Sequence, residues 1–73
     1  MQNRTARDAG WHLSRYNVIS RLPDTGETVI VNLLTRSMIK CSAIESFLLE
    51  VAEELDENHP ILPKFRKNGF LVN

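Results

Sequence analysis

The stretch "DTGETVIVNLLTRSMIKCSAIESFLLEV", from Asp24 to Val51, decides the fold of this 73-residue chain. It opens with a turn in which Gly26 supplies a positive φ. The run "TVIVNLL" that follows is apolar on both faces, which is typical of a central strand covered on both sides. "LTRS" predicts a second turn and "SMIK" a short antiparallel strand. Ser42 and Glu45 then have the spacing of a capping box, so the sequence predicts a change from strand to helix at this point.

The flanking segments complete the pattern of elements. "RYNVISRL", Arg15 to Leu22, alternates in the manner of a strand and predicts the first strand of the sheet. After the capping box, apolar residues recur at helical spacing and predict one buried stripe. The members of that stripe are Ile44, Phe47, Leu48, Val51, Ala52 and Leu55. A second helix is expected to become regular at Leu62, after a cap at Asn58 or His59, and to end at Gly69. The final "FLV" predicts either a last strand or a tail laid into the core.

The order of elements predicts an α+β, winged-helix-like fold. It has a three-stranded antiparallel sheet followed by two or three helices and a short C-terminal extended segment. Residues 1–10 are polar and carry no periodicity, so we expect a flexible N-terminal arm there. Residues 11–73 are expected to form one folded, peptide-binding domain. A chain of this length buries only about 60% of its unfolded surface, so we expect a stability of a few kcal/mol.

Charge and composition restrict the class of partner. Nine Lys and Arg balance nine Asp and Glu, whereas a duplex-binding domain usually carries a positive surplus, because phosphate contacts supply most of its affinity. The balance therefore argues against nucleic acid. No apolar run approaches the roughly 18 residues of a membrane span, and the first residues lack the apolar segment of a signal peptide. We expect no membrane partner and a cytoplasmic location, which the single cysteine also fits.

Patterns for catalysis and metal binding are missing from the sequence. The three glycines stand alone, so there is no glycine-rich phosphate loop. Cys41 has no histidine close to it in sequence, and neither His12 nor His59 forms a metal-ligand spacing with it. We therefore expect a chain that is not an enzyme, has no catalytic residue, metal or cofactor, and acts by binding.

The strand "SMIK" raises the question of what lies beside it, since no later strand is predicted to cover its edge. An extended peptide could add there as a further strand, with main-chain hydrogen bonds giving affinity and side-chain pockets giving specificity. The predicted groove lies between this strand and the last helix. A proline at Ile39 is expected to abolish binding by removing a ladder donor. The predicted peptide-binding residues are Ser37, Met38, Ile39, Lys40, Leu62, Phe65 and Arg66.

The strings "SRYNVI", "GETVIVNLLT" and "KNGFLV" resemble the N-terminal segment of radical SAM peptide maturases with SPASM-type extensions. The region from about residue 14 to residue 72 is similar to PqqD-like domains, the RiPP recognition elements that capture the leader of a ribosomally made precursor peptide. The resemblance implies that a leader pairs along the "SMIK" strand and rests against Leu62, Phe65 and Arg66. It also implies a chain that recruits the precursor peptide to a radical SAM-type modifying enzyme.

The sequence departs from that family in three ways. Arg36 stands where the family's turn usually has glycine, only two helices are clear, and the radical SAM cysteine triplet is absent. The modifying chemistry would therefore belong to a separate protein or to a longer parent chain.

Two other functions stay open at this stage. One is a winged-helix DNA-binding protein whose last helix enters a major groove through Lys64, Arg66 and Lys67. The other is a small homodimeric protein–protein adaptor in which two "SMIK" edges pair across a two-fold axis. Binding that weakens steeply with salt would indicate DNA, a concentration-dependent mass would indicate the dimer, and salt-tolerant peptide binding would indicate leader recognition.

Overall fold

The computed structural model describes residues 4–73. Its strands are β1 (His12–Leu13), β2 (Asn17–Arg21), β3 (Thr28–Asn32), β4 (Met38–Cys41) and β5 (Leu71–Val72). Its α-helices are α1 (Ala43–Glu50) and α2 (Leu62–Lys67), and a short 3-10 helix spans Ala52–Glu54 between them. No helix in this part of the chain is long and apolar enough to cross a membrane.

β2, β3 and β4 form a three-stranded antiparallel sheet in that order. Val18 pairs with Val31, and Val31 pairs with Met38, so one row of side chains crosses all three strands. Gly26 has φ +73° in the first turn and Arg36 has φ +63° in the second. The predicted α+β fold, with a three-stranded antiparallel sheet followed by helices, is confirmed.

Only one face of this sheet is covered by the helices. Along β3, Thr28, Ile30 and Asn32 are buried, whereas Val29 and Val31, which point to the opposite face, are half-buried. We call the first side the inner face and the second the outer face. The sequence predicted cover on both sides of β3. The structure differs because α1, α2 and the C-terminal segment all pack on the inner face, where the core lies.

The C-terminal segment is both a strand and part of the core. β5 pairs antiparallel with β1, with Leu13 opposite Leu71. Phe70 and Leu71 are buried. The two alternatives that the sequence left open for "FLV" are therefore combined.

The capping box at the start of α1 is present as predicted. The Ser42 hydroxyl accepts a hydrogen bond from the Glu45 N–H at 3.2 Å. In return, the Glu45 carboxylate accepts one from the Ser42 N–H at 3.0 Å. Two of the backbone donors that a helix start leaves unpaired are thereby satisfied.

The buried face of α1 differs from the predicted stripe. Leu49 and Ser46 are buried, whereas Ile44 is 74% exposed and Phe47 is 60% exposed. The prediction is therefore wrong for Ile44 and Phe47 in α1, whereas two later members of the stripe agree with it, since Ala52 is buried and Leu55 packs against the core. The reason is a buried hydroxyl pair, because the Ser46 Oγ lies 2.6 Å from the Thr28 Oγ1 and turns this side of the helix towards the sheet.

α2 begins at Leu62, and Gly69 follows it in the left-handed conformation, as predicted. His59 caps the turn before the helix, since its Nδ1 accepts a hydrogen bond from the Ile61 N–H at 3.1 Å. A Cβ at Gly69 would lie 2.6 Å from the Cγ2 of Thr35, so this position requires glycine for space as well as for φ +79°.

Residues 4–10 are docked against the chain, which corrects the predicted flexible arm; residues 1–3 lie outside the described residues. Thr5 forms a β-bridge with Asp56, and the Ala6 N–H donates to the Leu55 carbonyl oxygen at 2.7 Å. Ala6 is fully buried. A single small apolar residue leaves no periodicity in the sequence, which is why the docking was not predicted.

The core takes residues from the N-terminal segment, from β3, β4 and β5, and from all three helices. Its buried apolar members are Ala6, Ile30, Cys41, Leu49, Ala52, Leu62, Phe65, Phe70 and Leu71.

Candidate functional site

β4 is an edge strand, because β3 is its only strand partner among residues 4–73. Hydrogen-bonded and non-bonded residue pairs alternate between β3 and β4, and this alternation decides which backbone N–H and C=O groups of β4 have no partner in β3. The Asn32 N–H donates to the Ser37 carbonyl oxygen at 2.9 Å. Bonded and non-bonded pairs alternate along an antiparallel ladder, so Ile39 also bonds to β3. The N–H and C=O groups of Met38 and Lys40 therefore point away from β3, towards the open edge.

The hydrogen bonds between β3 and β2 indicate the same alternation independently. The Leu22 N–H donates to the Glu27 carbonyl oxygen at 2.7 Å, and the Leu33 N–H donates to the Tyr16 carbonyl oxygen at 3.0 Å. Odd-numbered residues of β3 thus bond to β2, and even-numbered residues bond to β4.

This phase corrects one expectation from the sequence. The Ile39 N–H faces β3 and the Ile39 side chain packs against the core. A proline at Ile39 would therefore break the bond that holds β4 to β3 and damage the fold. The donors available to an added strand belong to Met38 and Lys40.

The four predicted site residues on the strand lie at this edge. Met38 is 68% exposed, whereas Ser37 and Ile39 are half-buried. Lys40 is exposed and its Nζ lies 3.4 Å from a carboxylate oxygen of Glu27. The strand half of the predicted site is thus accessible to another chain.

The helix half of the predicted site is placed differently. Leu62 and Phe65 are fully buried in the core, so they cannot form the floor of an open groove. Arg66 lies on the far side of α2, with its guanidinium carbon 4.5 Å from the centre of the Trp11 ring. It also donates to the Glu57 carbonyl oxygen at 3.0 Å. The sequence missed this because it could not show which side of so short a helix faces the core.

α2 nevertheless contacts the segments that precede and follow β4. At its C-terminal end, the Thr35 hydroxyl donates to the Asn68 carbonyl oxygen at 3.1 Å, next to the turn that precedes β4. Near its start, the Lys64 Nζ lies 2.6 Å from the Glu45 carboxylate, next to the residues that follow β4. α2 therefore runs antiparallel to β4, with Lys64 on the side towards the start of α1.

The ion pair between Lys64 and Glu45 links α2 to the first turn of α1. The hydrogen bond from Lys64, together with the capping bond from Ser42, holds the pKa of Glu45 below its ordinary value. The same carboxylate raises the pKa of Lys64. Burial raises the pKa of the Cys41 thiol at the end of β4, so this cysteine stays protonated and unreactive near neutral pH.

The basic residues proposed for DNA contact do not share one solvent-facing surface. Lys64 is paired with Glu45, and Arg66 is stacked on Trp11. Lys67 is exposed. α2 itself has only six residues.

A concave site that the sequence did not predict lies at the end of the sheet near β1 and β5. It has a volume of about 440 Å³. Its lining residues are His12, Leu13, Ser14, Arg15, Tyr16, Leu34 and Val72. Its residues come from three segments that are distant in sequence, so no local motif predicts it. Within residues 4–73, no group of three His, Cys, Asp or Glu side chains could hold a metal ion.

Comparisons of the chain with protein-family models, with curated proteins and with solved structures found no match. The resemblance to PqqD-like domains therefore stays an expectation from the residues.

Proposed function

We propose that this domain binds an extended peptide by strand addition along β4. The observation that carries the proposal is the pair of open backbone positions at Met38 and Lys40, each offering one N–H and one C=O to a new strand. An extended segment that pairs there gains two donors and two acceptors at once, and its side chains alternate between the two faces of the sheet.

The side chains around the β4 edge indicate which kinds of side chain the peptide would have. Met38 offers an apolar contact on the outer face, and Ile39 offers a partly exposed one on the inner side. The nearby Lys40 and Lys64 side chains already have acidic neighbours, Glu27 and Glu45. We therefore expect a largely apolar peptide that is held mainly through its backbone.

We further propose that the peptide is the leader of a ribosomally made precursor, and that the domain delivers it to a modifying enzyme on a separate or parent chain. The resemblance of residues 14–72 to PqqD-like domains supports this choice of peptide. Holding the leader raises the effective concentration of the segment to be modified at the enzyme's active site. The cytoplasm is the compartment that fits such a role and the single buried thiol of Cys41.

A matched pair of variants at Lys40 tests the proposal. Lys40→Pro removes the outward N–H but no bond to β3, whereas Lys40→Ala removes the same charge and keeps the N–H. We expect titration with leader peptides encoded beside this gene to show tight binding for wild type and for Lys40→Ala. Lys40→Pro should weaken binding by roughly tenfold or more, because one backbone hydrogen bond and the fit of the added strand are lost.

Equal binding by Lys40→Pro and wild type would refute strand addition at this edge. If binding is seen only with duplex DNA and falls steeply with salt, the winged-helix DNA-binding function replaces the proposal.

A further inference from the structure

The concave site beside β1 and β5 is built on backbone that other parts of the fold hold in place. The Ser14 N–H donates to the Phe70 carbonyl oxygen at 3.0 Å, and the Tyr16 N–H donates to the Ser14 hydroxyl at 3.1 Å. In the turn before β4, the Leu34 N–H donates to the Oδ1 of Asn32 at 3.0 Å. These bonds fix the backbone of the site without a ligand, as in most small-molecule sites.

The walls of this site are mainly apolar. Leu13, Leu34 and Val72 supply aliphatic side chains, and Tyr16 adds an aromatic ring. Leu34 is 69% exposed and Tyr16 is 38% exposed, so a ligand in the site would remove apolar surface from water. The volume of about 440 Å³ lies towards the lower end of the range for small-molecule sites. The site therefore suits a small ligand with an apolar body.

Arg15 brings a positive charge to these apolar walls. Its guanidinium carbon lies 5.2 Å from the centre of the Tyr16 ring, and its Nη2 donates to the Tyr16 hydroxyl at 3.2 Å. Arg7, Arg21 and Lys64 each have a glutamate partner, whereas no carboxylate of residues 4–73 lies within 4.0 Å of Arg15. None of the described residues that line the site is acidic. The guanidinium therefore keeps N–H donors free for an anionic ligand.

Glu53 approaches the site from the side of β1 but does not neutralise this charge. Its carboxylate accepts the Leu13 N–H at 2.8 Å. It also lies 2.9 Å from the Nη2 of Arg7, which balances its charge.

The donors at the site match a carboxylate. A guanidinium can bind the two oxygens of a carboxylate through parallel N–H bonds. The Tyr16 hydroxyl accepts from Arg15, so its own hydrogen is free to donate. His12 also lines the site, and a neutral imidazole still has one N–H donor. One guanidinium balances a single negative charge, whereas a phosphate group carries about −1.5 to −2 at pH 7.

We propose that this site binds a small monocarboxylic acid with an aliphatic or aromatic body. The carboxylate pairs with Arg15 and the Tyr16 hydroxyl, and the body lies against Leu13, Leu34 and Val72. The site shares no residue with the β4 edge, so this proposal and the proposed peptide binding can fail independently.

Amide-resolved NMR titration of the full chain with 3-phenylpropanoate tests the proposal. The shifts should be concentrated at Leu13, Tyr16, Leu34 and Val72, with a Kd of about 1 mM or below for a ligand of this size. Two probes separate the parts of the ligand. 3-Phenylpropan-1-ol has the same body without the charge, and acetate has the charge without the body. Each should bind at least about tenfold more weakly than the acid.

Three variants assign the contacts to side chains. Arg15→Gln should weaken binding of the acid at least about tenfold and leave binding of the alcohol unchanged, because only the acid uses the charge. Leu34→Ala should weaken both, because it removes part of the wall that both ligands contact. Lys67→Gln is the matched control, because it removes the same charge from an exposed side chain outside the site; its binding should equal that of wild type.

Any of four results would overturn the proposal. The first is the absence of shifts with the acid up to about 20 mM, well above the expected Kd. The second is equally tight binding of the acid and the alcohol, and the third is unchanged binding of the acid by Arg15→Gln. The fourth is a set of shifts centred on Ile44 and Phe47, the exposed apolar side chains of α1. The amide spectrum of each variant establishes that it is folded.

Discussion

The side chain of Asn32 is the polar centre of the fold. It is 1% exposed, and its Nδ2, whose two hydrogens are shared among three acceptors, lies within 3.0 Å of the Ser14 hydroxyl, the Asn17 side-chain oxygen and the Gly69 carbonyl oxygen. Its Oδ1 accepts the N–H groups of Leu34 and Thr35. One amide thus ties the turn before β4 to the start of β2 and to the end of α2.

We expect Asn32→Ala to lower the free energy of unfolding by about 2 to 4 kcal/mol. The substitution leaves several buried polar groups without partners, and each costs far more than an exposed one. Urea unfolding measures the change, with Ser20→Ala on the exposed part of β2 as the control. A loss below about 1 kcal/mol would show that water or a rearranged turn replaces these bonds.

The sequence could place Asn32 on β3 but could not reveal this role. Its partners Ser14 and Gly69 are 18 and 37 residues away along the chain. Such contacts depend on the tertiary arrangement and leave no local spacing. The same limit applies to Arg66, whose contact with Trp11 crosses most of the chain.

Glu53 should make stability depend on pH. The Leu13 N–H and then the Arg7 guanidinium, both hydrogen-bonded to its carboxylate, hold the pKa of Glu53 below its ordinary value of 4.5. A lowered folded-state pKa contributes stability that is present above the ordinary value and is lost as pH falls through the lowered one.

Glu53→Gln tests that dependence. At pH 7 the variant should be about 1 kcal/mol less stable than wild type, because a charged acceptor is replaced by a neutral one. The difference should shrink and then vanish as pH falls through the lowered pKa of Glu53, because the wild-type carboxylate becomes protonated there. Urea midpoints across this pH range measure it, with Glu54→Gln as a neighbouring control. A difference that stays constant with pH would contradict the assigned cause.

At the scale of elements, the order and type of strands and helices could be predicted from local chemistry. The turn glycine Gly26, the capping box at Ser42 and the stop at Gly69 each act within a few residues, so their signals are visible in the sequence. The phase of α1 was not predictable in the same way. Apolar residues lie on both sides of this helix, and the buried Ser46–Thr28 hydroxyl pair decides which side faces the sheet.

Two alanine substitutions in α1 distinguish the observed phase from the predicted one. Leu49→Ala should cost about 2 to 4 kcal/mol, because it leaves a cavity in the core. Phe47→Ala should cost less than about 1 kcal/mol, because that side chain is 60% exposed. Urea unfolding of both variants provides the comparison. A larger loss for Phe47→Ala would mean that the helix buries the stripe expected from the sequence.

At the scale of the whole molecule, the inner face of the sheet is covered and the rest of the sheet is open. The pairing of β1 with β5 and the docking of residues 4–10 close the layer of helices. The β4 edge and the outer face stay exposed, and they lie at right angles to each other. Because only one face of the sheet is covered, the β4 edge and the outer face are both accessible to a partner.

Amide hydrogen exchange, resolved by residue, tests the open β4 edge most directly. In the free protein, the Ile39 and Cys41 amides should be protected, and the Met38 and Lys40 amides should exchange fast. With a leader peptide bound, Met38 and Lys40 should become protected at least tenfold while Ile39 changes little. Strand addition along β4 would be contradicted by fast exchange at Met38 and Lys40 under saturating peptide, or by new protection at Ile19 and Arg21 on the β2 edge instead.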